Sequence, residues 1–573
     1  MPVQNVEIAS MLTRLADLLE IEGANAFRVR AYRNAAQLVE GLPRSVADMV
    51  AAGEELSELP GIGEALASKL KEIVETGRLT ALEKEQKKLP PTLSELLKIP
   101  SLGPKRVHQI YETLQISDRK ELERAARCGK IRALPGFGEK TEGKVLEHLA
   151  HRGQGAGRTR LLVAEQLVEP VLDRLRATRG VQRVVAAGSY RRRLETVGDV
   201  DILAIGRSGS PVMDRFVDHE DVADVLSKGP TRSSVVLRAG LQVDLRVVPE
   251  ESYGAALHYF TGSKAHNIAI RKRGVSAGLK INEYGVFRGD KRVGGATEEE
   301  VFGAVGLPYI EPELRENSGE MEAAEQARLP KLVRLENIRG DLQSHTTATD
   351  GHFRLEAMAD AARKRGYEYL AVTDHSQRVA MAHGLNATRL KRQMREIEKL
   401  NGRLRGFRLL KSIEVDILDD GSLDLPDAVL KDLDLVVCAV HYRFNLSRER
   451  QTERILRALD NPHVHILAHP TGRLIGERDP YDVDMERLLA GARERGCFME
   501  INAQPSRLDL TDVHCRLARQ QGVKLAISTD AHGVTDLDYM RLGVGQARRG
   551  WLESGDILNT RTWKDLRKLL KRD

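Results

Sequence analysis

The sequence predicts a multidomain protein with a helical N-terminal region, a central α/β domain and a C-terminal βα barrel. Three observations predict this order. A hydrophobic-Pro-Gly-hydrophobic-Gly turn recurs in the first 155 residues, short β-branched runs of alternating polarity follow, and helical segments alternate with apolar strands after residue 338. A chain of 573 residues is also too long for a single hydrophobic core.

The N-terminal region is predicted to consist of helices joined by tight turns. In NVEIASMLTRLADLLE the apolar residues follow the three-and-four spacing of an amphipathic helix. The turn occurs as LPGIG (59–63), IPSLG (99–103, where Ser101 replaces the first glycine) and LPGFG (134–138). Such turns offer backbone N–H groups at a helix N-terminus, and their glycines permit a phosphate to approach closely. One copy indicates a simple turn, but three copies favour phosphate binding.

These turns resemble the helix-hairpin-helix motifs of DNA repair proteins, which bind backbone phosphates irrespective of base sequence. The resemblance implies one motif in a DNA-end-binding domain, residues 1–85, and two in residues 86–155. The residues expected to contact DNA are Gly61, Gly63, Gly103, Lys105, Gly136 and Gly138.

The central segment GSYRRRLETVGDVDILA contains the highest concentration of candidate catalytic residues. On a strand, Asp199 and Asp201 project from one face while Val200 and Ile202 face the core. In a second strand, LQVDLRVV, Asp244 takes the polar face. Three carboxylates on a sheet suit a pair of hard divalent cations, and two such cations stabilise the attacking and leaving oxygens of phosphoryl transfer. A single Asp would more often be a cap or a salt-bridge partner.

The order GSYRRR, GDVDIL, VDLR, YFTGSKAHN and INEY resembles the family X DNA polymerases, the group that includes DNA polymerase beta, across residues 1–318. The resemblance implies a nucleotidyltransferase-like polymerase palm at 156–250 and a nucleotide- and template-binding subdomain at 251–318. It implies that Asp199, Asp201 and Asp244 hold Mg²⁺ or Mn²⁺, and that Asp244 activates the primer 3′-hydroxyl. The implied nucleotide- and template-binding residues are Ser189, Arg192, Gly198, Tyr259, Phe260, Gly262, Asn267 and Arg271.

Two positions depart from or test the family pattern. Arg193 stands where polymerase beta has glycine, which alters the phosphate-binding loop but spares the metal ligands. Lys69 falls where the family's 5′-deoxyribose-phosphate lyase has its Schiff-base lysine, while Ala65 replaces a neighbouring lysine that binds DNA. A solvated helix lysine is as good an interpretation of Lys69 as a nucleophile.

Residues 319–337 are charged and predict a linker, partly helical, before a βα region of the TIM type with fewer than eight strands. Many candidate ligands end apolar strands in that region, and strand ends converge on one face of such a barrel. The candidate metal ligands at these strand ends are His345, His375, Glu414, His441, His469, Asp530 and His532. Imidazole with carboxylate suits Zn²⁺ or Mn²⁺. Other histidines, such as His352, His383, His463, His465 and His514, do not fit the pattern.

The order TDH, E, H, HP, DAH resembles the PHP domain (polymerase and histidinol phosphatase) over 338–573. It implies two or three Mn²⁺ or Zn²⁺ ions, a bridging Glu414 and phosphoester hydrolysis, with His345 and His375 among the catalytic residues. It also adds Gln343 and Asp350 of the first motif to the candidate metal ligands. A polymerase joined to this domain is typical of bacterial family X polymerases. That arrangement implies Mn²⁺-dependent 3′-to-5′ exonuclease activity and, in some members, cleavage at abasic sites or removal of 3′-phosphates.

Gln343 is the anomaly, since DLQSHTTATDG has glutamine where such a motif usually has a further histidine. An amide oxygen still ligates Mn²⁺ but is a poorer ligand of Zn²⁺ than imidazole is. We therefore expect a working site with one weakened metal position and a preference for Mn²⁺.

Composition sets the remaining expectations. No apolar run approaches the roughly 20 residues of a membrane span, and the start MPVQNVEIASML lacks signal-peptide features, which predicts a cytoplasmic protein. The four cysteines are scattered without a CxxC pair, and the net charge is +6.

The predicted function is a monomeric gap-filling polymerase that acts on gapped or primer-template DNA and dNTPs and trims the primer at a second site. Two alternatives remain. One is a DNA-end-binding protein whose barrel is a structural platform, and the other is a barrel that dephosphorylates small metabolites, which the DNA-binding turns disfavour.

Overall fold

The computed structural model describes residues 3, 5–41, 46–59, 61–90, 92–97, 99, 102–150, 158–206, 210–476 and 478–571. The chain divides into two compact units, Met1–Gly157 and Arg158–Asp573. The predicted boundary between residues 155 and 156, as well as Ser101, lies outside the described residues. No helix in the described part of the chain is long and apolar enough to span a membrane.

The first unit is helical, as the sequence predicts. Its core is formed by the apolar faces of successive helices, with Leu12 and Leu15 fully buried. The described α-helices are α1 (Asn5–Ile21), α2 (Ala26–Gly41), α3 (Val46–Ala51), α4 (Glu64–Thr76), α5 (Thr80–Gln86), α6 (Leu93–Leu96), α7 (Pro104–Leu114), α8 (Arg119–Arg127) and α9 (Glu139–Ala150).

The second unit begins with the palm, whose five-stranded sheet has the order β2-β4-β7-β6-β5. Strands β4 and β7 are parallel and the other neighbours are antiparallel, so the sheet is mixed. The elements are β1 (Thr159–Arg160), α10 (Leu161–Arg176), β2 (Val181–Ala186), α11 (Gly188–Arg191), β3 (Thr196–Val197), β4 (Asp199–Gly206), α12 (Val212–Val217), β5 (Val222–Lys228), β6 (Arg232–Leu237) and β7 (Gln242–Val248).

The next elements form the subdomain predicted to bind nucleotide and template, and they pack around a core of their own that includes Phe302. They are α13 (Tyr253–Thr261), α14 (Lys264–Ser276), β8 (Lys280–Asn282), β9 (Gly285–Arg288), β10 (Lys291–Gly294), α15 (Glu298–Ala304) and α16 (Glu320–Glu325). Helix α16 belongs to the expected linker, and its Met321 and Ala324 are buried in this core, so that part of the segment is packed.

The C-terminal domain is a seven-stranded parallel sheet in chain order, β11 to β17. A parallel bridge between Ser344 and Ala531 joins the first strand segment to the last, which nearly closes a barrel with fewer than eight strands, as predicted. The elements are β11 (Gly340–Asp341), α17 (Leu355–Lys364), β12 (Tyr369–Val372), α18 (Ala387–Asn401), β13 (Arg408–Asp416), α19 (Asp427–Leu430), β14 (Leu435–Ala439), α20 (Arg448–Leu459), β15 (Ile466–Leu467), α21 (Met485–Arg495), β16 (Phe498–Asn502), α22 (Asp512–Gln520), β17 (Leu525–Ser528), α23 (Met540–Arg549) and α24 (Trp563–Leu569).

The barrel packs directly on the palm. Leu508 and Leu542 of the barrel are buried in the hydrophobic core of the palm. Glu165 on α10 accepts hydrogen bonds from Arg193 of the palm and from Arg541 of the barrel. The two domains therefore share both apolar and charged contacts.

Candidate active sites

The palm carboxylates lie on two neighbouring parallel strands. The register pairs Asp199 with Gln242 and Asp201 with Asp244, so Asp201 and Asp244 stand side by side. Val200 and Ile202 are fully buried, as the alternation along β4 predicts. Asp244 is 7% exposed. Gln242 Nε2 donates to its Oδ1 at 3.1 Å, and Arg232 Nη2 lies 3.5 Å from its Oδ2.

Asp201 is surrounded by other negatively charged groups. Burial, Asp199 and Asp244 together raise the pKa of the Asp201 carboxyl to about 6. The turn beside it is held by Gly188, whose φ is +65° and where an added Cβ would lie 3.0 Å from Asp201 Oδ2. Carboxylates crowded in this way gain from a shared cation, so the residues fit Mg²⁺ or Mn²⁺.

The arginine run that follows Gly188 is fully engaged in ion pairs. Arg191 makes two hydrogen bonds to Glu298, whose other partner is the fully buried Arg315. Burial works against the charge of Glu298, but the two guanidinium groups lower its pKa to about 2. Arg192 Nε donates to Glu316 Oε1 at 2.8 Å.

Arg193, the departure from the family pattern, adopts a left-handed backbone with φ +60°. This conformation favours glycine, and an arginine there carries strain. Its guanidinium pairs with Glu165, and its side chain packs on Gly545 of α23, where an added Cβ would lie 3.3 Å from Nε. Arg193 thus connects the turn after Gly188 to the barrel.

The residues expected to line the nucleotide pocket lie around the junction of α13 and α14. Asn267 Nδ2 donates to the carbonyls of Tyr259 (2.6 Å) and Gly262 (3.1 Å). A Cβ on Gly262 would lie 2.6 Å from Asn267 Oδ1, so this contact requires glycine. Arg271 lies over the Tyr259 ring at 6.0 Å, and Arg246 over the Phe260 ring at 4.3 Å.

Ser189 and Gly198 both belong to the segment between β2 and β4. Ser189 is in the short helix α11, and Gly198 separates β3 from β4. A Cβ on Gly198 would contact only Arg158 Nη1, at 3.7 Å, so its backbone has room for a ligand atom.

Glu414 is the centre of the barrel site. Its Oε2 lies 3.0 Å from His375 Nδ1 and its Oε1 lies 3.0 Å from His469 Nε2 and 3.4 Å from His441 Nε2. Burial opposes ionisation of Glu414, but His375 and His441 hold its pKa well below the usual range. His375, Glu414 and His441 form one group whose ligand atoms lie within 4.8 Å of one another.

A second group joins the first and last strands. His345, Asp350, His375 and His532 also have ligand atoms within 4.8 Å of one another. Asp350 Oδ2 lies 3.3 Å from His375 Nε2 and 3.5 Å from His532 Nε2. His375 belongs to both groups, so the predicted ligands assemble into one continuous cluster.

The remaining predicted ligands border this cluster. Asp530 Oδ1 lies 3.0 Å from His345 Nε2. Gln343 is 1% exposed, and neither of its side-chain polar atoms has a hydrogen-bond partner in the described structure. Since Gln343 and His345 alternate with Ser344 in an extended segment, both side chains point to the same face.

The donor set fits borderline divalent cations. Several buried atoms lack a hydrogen-bond partner among the described residues, including Gln343 Nε2 and Oε1 and His469 Nδ1. Unsatisfied buried polar groups are costly, and imidazole with carboxylate matches Mn²⁺ and Zn²⁺. Both groups with metal-binding spacing found among the described residues belong to this cluster.

Several supporting residues were missed by the sequence reasoning. Asp416 Oδ1 lies 3.0 Å from His441 Nδ1 and orients that ring towards Glu414. Asp374 accepts hydrogen bonds from Thr346 N and Oγ1, which fixes the first loop. Glu500 Oε2 accepts from His469 N at 2.7 Å. Asp416 could have been found, because it lies two residues after Glu414 on the same strand face.

The histidines excluded from the pattern have other surroundings. His465 is buried and its Nδ1 accepts from Val436 N at 3.0 Å, a structural role in the barrel wall. His352 and His383 are exposed.

The three glycine turns of the first unit each precede a helix. Gly63 caps α4, Gly103 caps α7 and Gly138 directly precedes α9. Gly61 and Gly136 have φ of +81° and +78°, and an added Cβ at any of the five glycines would meet no atom within 4 Å. Lys105 is exposed on the first turn of α7, whereas Lys69 Nζ donates to Ala65 O at 3.1 Å on α4.

Family models match three parts of the chain. The helix-hairpin-helix domain matches residues 3–79, and the SAM-like helix-hairpin-helix tandem matches residues 93–150. The DNA polymerase beta thumb matches residues 256–316.

One relative matches nearly the whole chain, and two others match about a third of it. A protein of Bacillus subtilis named DNA polymerase/3′-5′ exonuclease PolX is 39% identical over 99% of this chain and 99% of its own length. A protein of Thermoanaerobacter sp. named as a probable phosphatase is 31% identical over 38% of this chain and 90% of its own length. Another so named, from Acetivibrio thermocellus, is 30% identical over 34% of this chain and 78% of its own length.

Proposed function

Given that the chain belongs to the PolX family of bacterial DNA polymerase/3′-5′ exonucleases, we propose that its palm extends a primer 3′ end and that its barrel shortens it. The single observation that carries the proposal is the presence, in one compact unit, of two separate ligand sets. One contains the paired carboxylates Asp201 and Asp244, and the other is the histidine and carboxylate cluster around Glu414.

In the palm, the chain's own residues bind and orient the reactants. Asp244 accepts the proton of the primer 3′-hydroxyl, and its carboxylate is oriented by Gln242 and Arg232. The primer O3′ forms a bond to the α-phosphorus of the dNTP, and pyrophosphate leaves. Ser189, Arg192 and the backbone at Gly198 bind the triphosphate, which requires Arg192 to exchange Glu316 for phosphate oxygens.

In the barrel, the clustered imidazoles and carboxylates would hold the divalent cations that bind the reacting phosphate. Asp416 fixes the His441 ring, and Glu500 fixes the loop of His469 through its backbone N–H. Divalent cations, when bound, supply both sites with the positive charge that activates the attacking oxygen and stabilises the leaving one. We assign Mg²⁺ or Mn²⁺ to the palm ligands and two or three Mn²⁺ or Zn²⁺ ions to the barrel ligands.

The alternative of a purely structural barrel is disfavoured by the unpartnered buried atoms of Gln343 and His469. A platform without chemistry gains nothing from buried polar groups that lack partners, and apolar replacements would stabilise it. Retention of the whole ligand set therefore supports a working site.

The proposal includes gapped or primer-template DNA as substrate, a cytoplasmic location and a monomeric state. Abasic-site cleavage and removal of 3′-phosphates are further reactions that the same phosphoesterase cluster would support. Lyase chemistry at Lys69 has weaker support, because its ammonium group is engaged with Ala65 O.

One gel tests the proposal. Purified protein is incubated with a gapped, 5′-labelled primer and Mn²⁺, with and without dNTPs. We expect shortening without dNTPs and extension with them. If the protein extends the primer but never shortens it, the barrel has only a structural role.

A further inference from the structure

One guanidinium group lies at the edge of the barrel cluster with unused hydrogen-bonding capacity. Arg507 is on the loop that follows β16, at the same end of the barrel as His469 and Asp530. Its Nε lies 3.9 Å from Asp530 Oδ2, and its side chain is 20% exposed. Its Nη1 is buried and has no hydrogen-bond partner among the described residues.

Arg507 requires a different kind of hydrogen-bond partner from the neighbouring predicted metal ligands. The unpartnered side-chain atoms of Gln343 and His469 belong to residues suited to a cation. A guanidinium N–H carries positive charge and only donates, so a metal ion cannot satisfy it. A buried donor without an acceptor destabilises the fold, and the matching partner is an anionic oxygen.

The loop that carries Arg507 is held firmly. Asn502 and Asp509 exchange backbone hydrogen bonds at its two ends, and Gln504 O accepts from Arg507 N at 2.8 Å. Gln504 Nε2 donates to Asp530 O at 2.9 Å, which ties the loop to a predicted metal ligand.

The palm core and a neighbouring barrel loop together hold the same loop from the other side. Leu508, the next residue, is 2% exposed in the palm core, and its carbonyl accepts from Arg473. Ser506 O accepts from Ile475 N at 2.7 Å. A group held in this way is oriented before substrate arrives, which is a requirement for electrostatic catalysis.

We propose that Arg507 donates hydrogen bonds to a non-bridging oxygen of the scissile phosphate in the barrel. This assignment rests on the nuclease function proposed above. In the reaction a water oxygen bonds to phosphorus and the bond from phosphorus to the neighbouring O3′ breaks. One water proton ends on O3′, so the products are a nucleoside 5′-monophosphate and a primer with a free 3′-hydroxyl. Arg507 binds the phosphate oxygens whose negative charge must be stabilised during this exchange.

The test compares Arg507→Gln and Arg507→Lys with the full-length wild-type protein. We expect Arg507→Gln to slow single-turnover trimming about 100-fold and Arg507→Lys to lie between the two, as for loss of a transition-state hydrogen-bond donor. Calorimetric binding of dTMP, the product of trimming a thymidine end, should weaken at least about tenfold in Arg507→Gln. Affinity for Mn²⁺ and the rate of nucleotide addition should change by less than about twofold.

Arg443→Gln is the matched control, because Arg443 also follows a barrel strand but is 62% exposed and lies 3.5 Å from Asp419. It should trim within about threefold of wild type, as expected for a surface charge. Wild-type trimming and dTMP binding by Arg507→Gln would overturn the assignment, and so would a parallel loss of Mn²⁺ affinity. If the wild-type protein fails to trim, the proposed nuclease function falls, while dTMP binding still decides the role of Arg507.

Discussion

Arg473 of the barrel and Glu195 of the palm form a bidentate ion pair, with Nη1–Oε1 at 3.1 Å and Nη2–Oε2 at 2.6 Å. Along the chain, Arg473 lies four residues after His469, and Glu195 lies four residues before Asp199. A single pair of side chains therefore joins the loop of a barrel ligand to the loop of a palm ligand.

The pair should contribute to the stability of the palm and barrel together. Arg473→Gln and Glu195→Gln should each lower the free energy of unfolding by about 1–2 kcal/mol, since Glu195 is partly exposed and water screens the pair. Urea unfolding of both single variants and the double variant measures the coupling. Strict additivity of the two single effects would mean that the ion pair contributes nothing.

The two proposed activities should separate by mutation. Asp199→Ala with Asp201→Ala should lower nucleotide addition about 10³-fold or more and leave trimming unchanged, because several kcal/mol of charge stabilisation are lost at one site only. His375→Ala with His469→Ala should do the reverse. Each double variant is the control for the other on the same labelled primer. Mn²⁺-dependent trimming that survives the histidine substitutions would refute the barrel assignment.

Gln343 should behave as a weak metal ligand. Gln343→His should tighten Zn²⁺ binding about tenfold or more, since imidazole is the better donor, and Gln343→Ala should weaken Mn²⁺ binding. Isothermal titration calorimetry after chelation measures both affinities. Wild-type affinities in both variants would show that Gln343 does not touch a metal.

The raised pKa of Asp201 makes the stability of the metal-free protein depend on pH. Because the folded pKa is about 6 and the ordinary value is 3.8, ionised Asp201 destabilises the fold above pH 6, and the penalty disappears as the pH falls from 6 towards 4. Asp201→Asn should therefore stabilise the protein at pH 7 by about 2–3 kcal/mol in chelator. The gain should shrink towards pH 4.

Chemical denaturation at several pH values measures this effect, with Asp224→Asn on the exposed face of β5 as the control. Asp224→Asn should change stability by less than about 0.5 kcal/mol at every pH. An Asp201→Asn profile parallel to that of the wild type would contradict the assigned pKa.

The third glycine turn should bind DNA through its backbone. Gly138→Ala should keep the fold, because its Cβ meets no atom within 4 Å, yet weaken DNA binding several-fold by obstructing a phosphate. Gly143→Ala, on the exposed face of α9, is the control that should bind as the wild type does. Fluorescence anisotropy with duplexes of unrelated sequence measures the affinity. Equal affinity of the two variants would argue against phosphate contact at this turn.

The outline of the fold was predictable because alternation and repetition are local signals. Asp201 and Asp244 could be assigned to strand faces from their neighbours, and the histidines at strand ends indicated a shared barrel face. The partners of Arg192, Arg193 and Arg473 could not be predicted, since each pairs with a glutamate that is distant or on another element. The sequence contains many arginines and acidic residues, and only packing selects among them.

The backbone of Leu508 is part of the barrel, whereas its side chain packs in the hydrophobic core of the palm. A fragment that begins at residue 338 would expose this side chain to water and leave the neighbouring Arg507 without its support. The strands and most of the predicted ligands would remain in this fragment. The turn between Asn502 and Asp509 would lose its packing contact with the palm. The excised barrel is thus an incomplete enzyme, and the palm acts as a part of the nuclease.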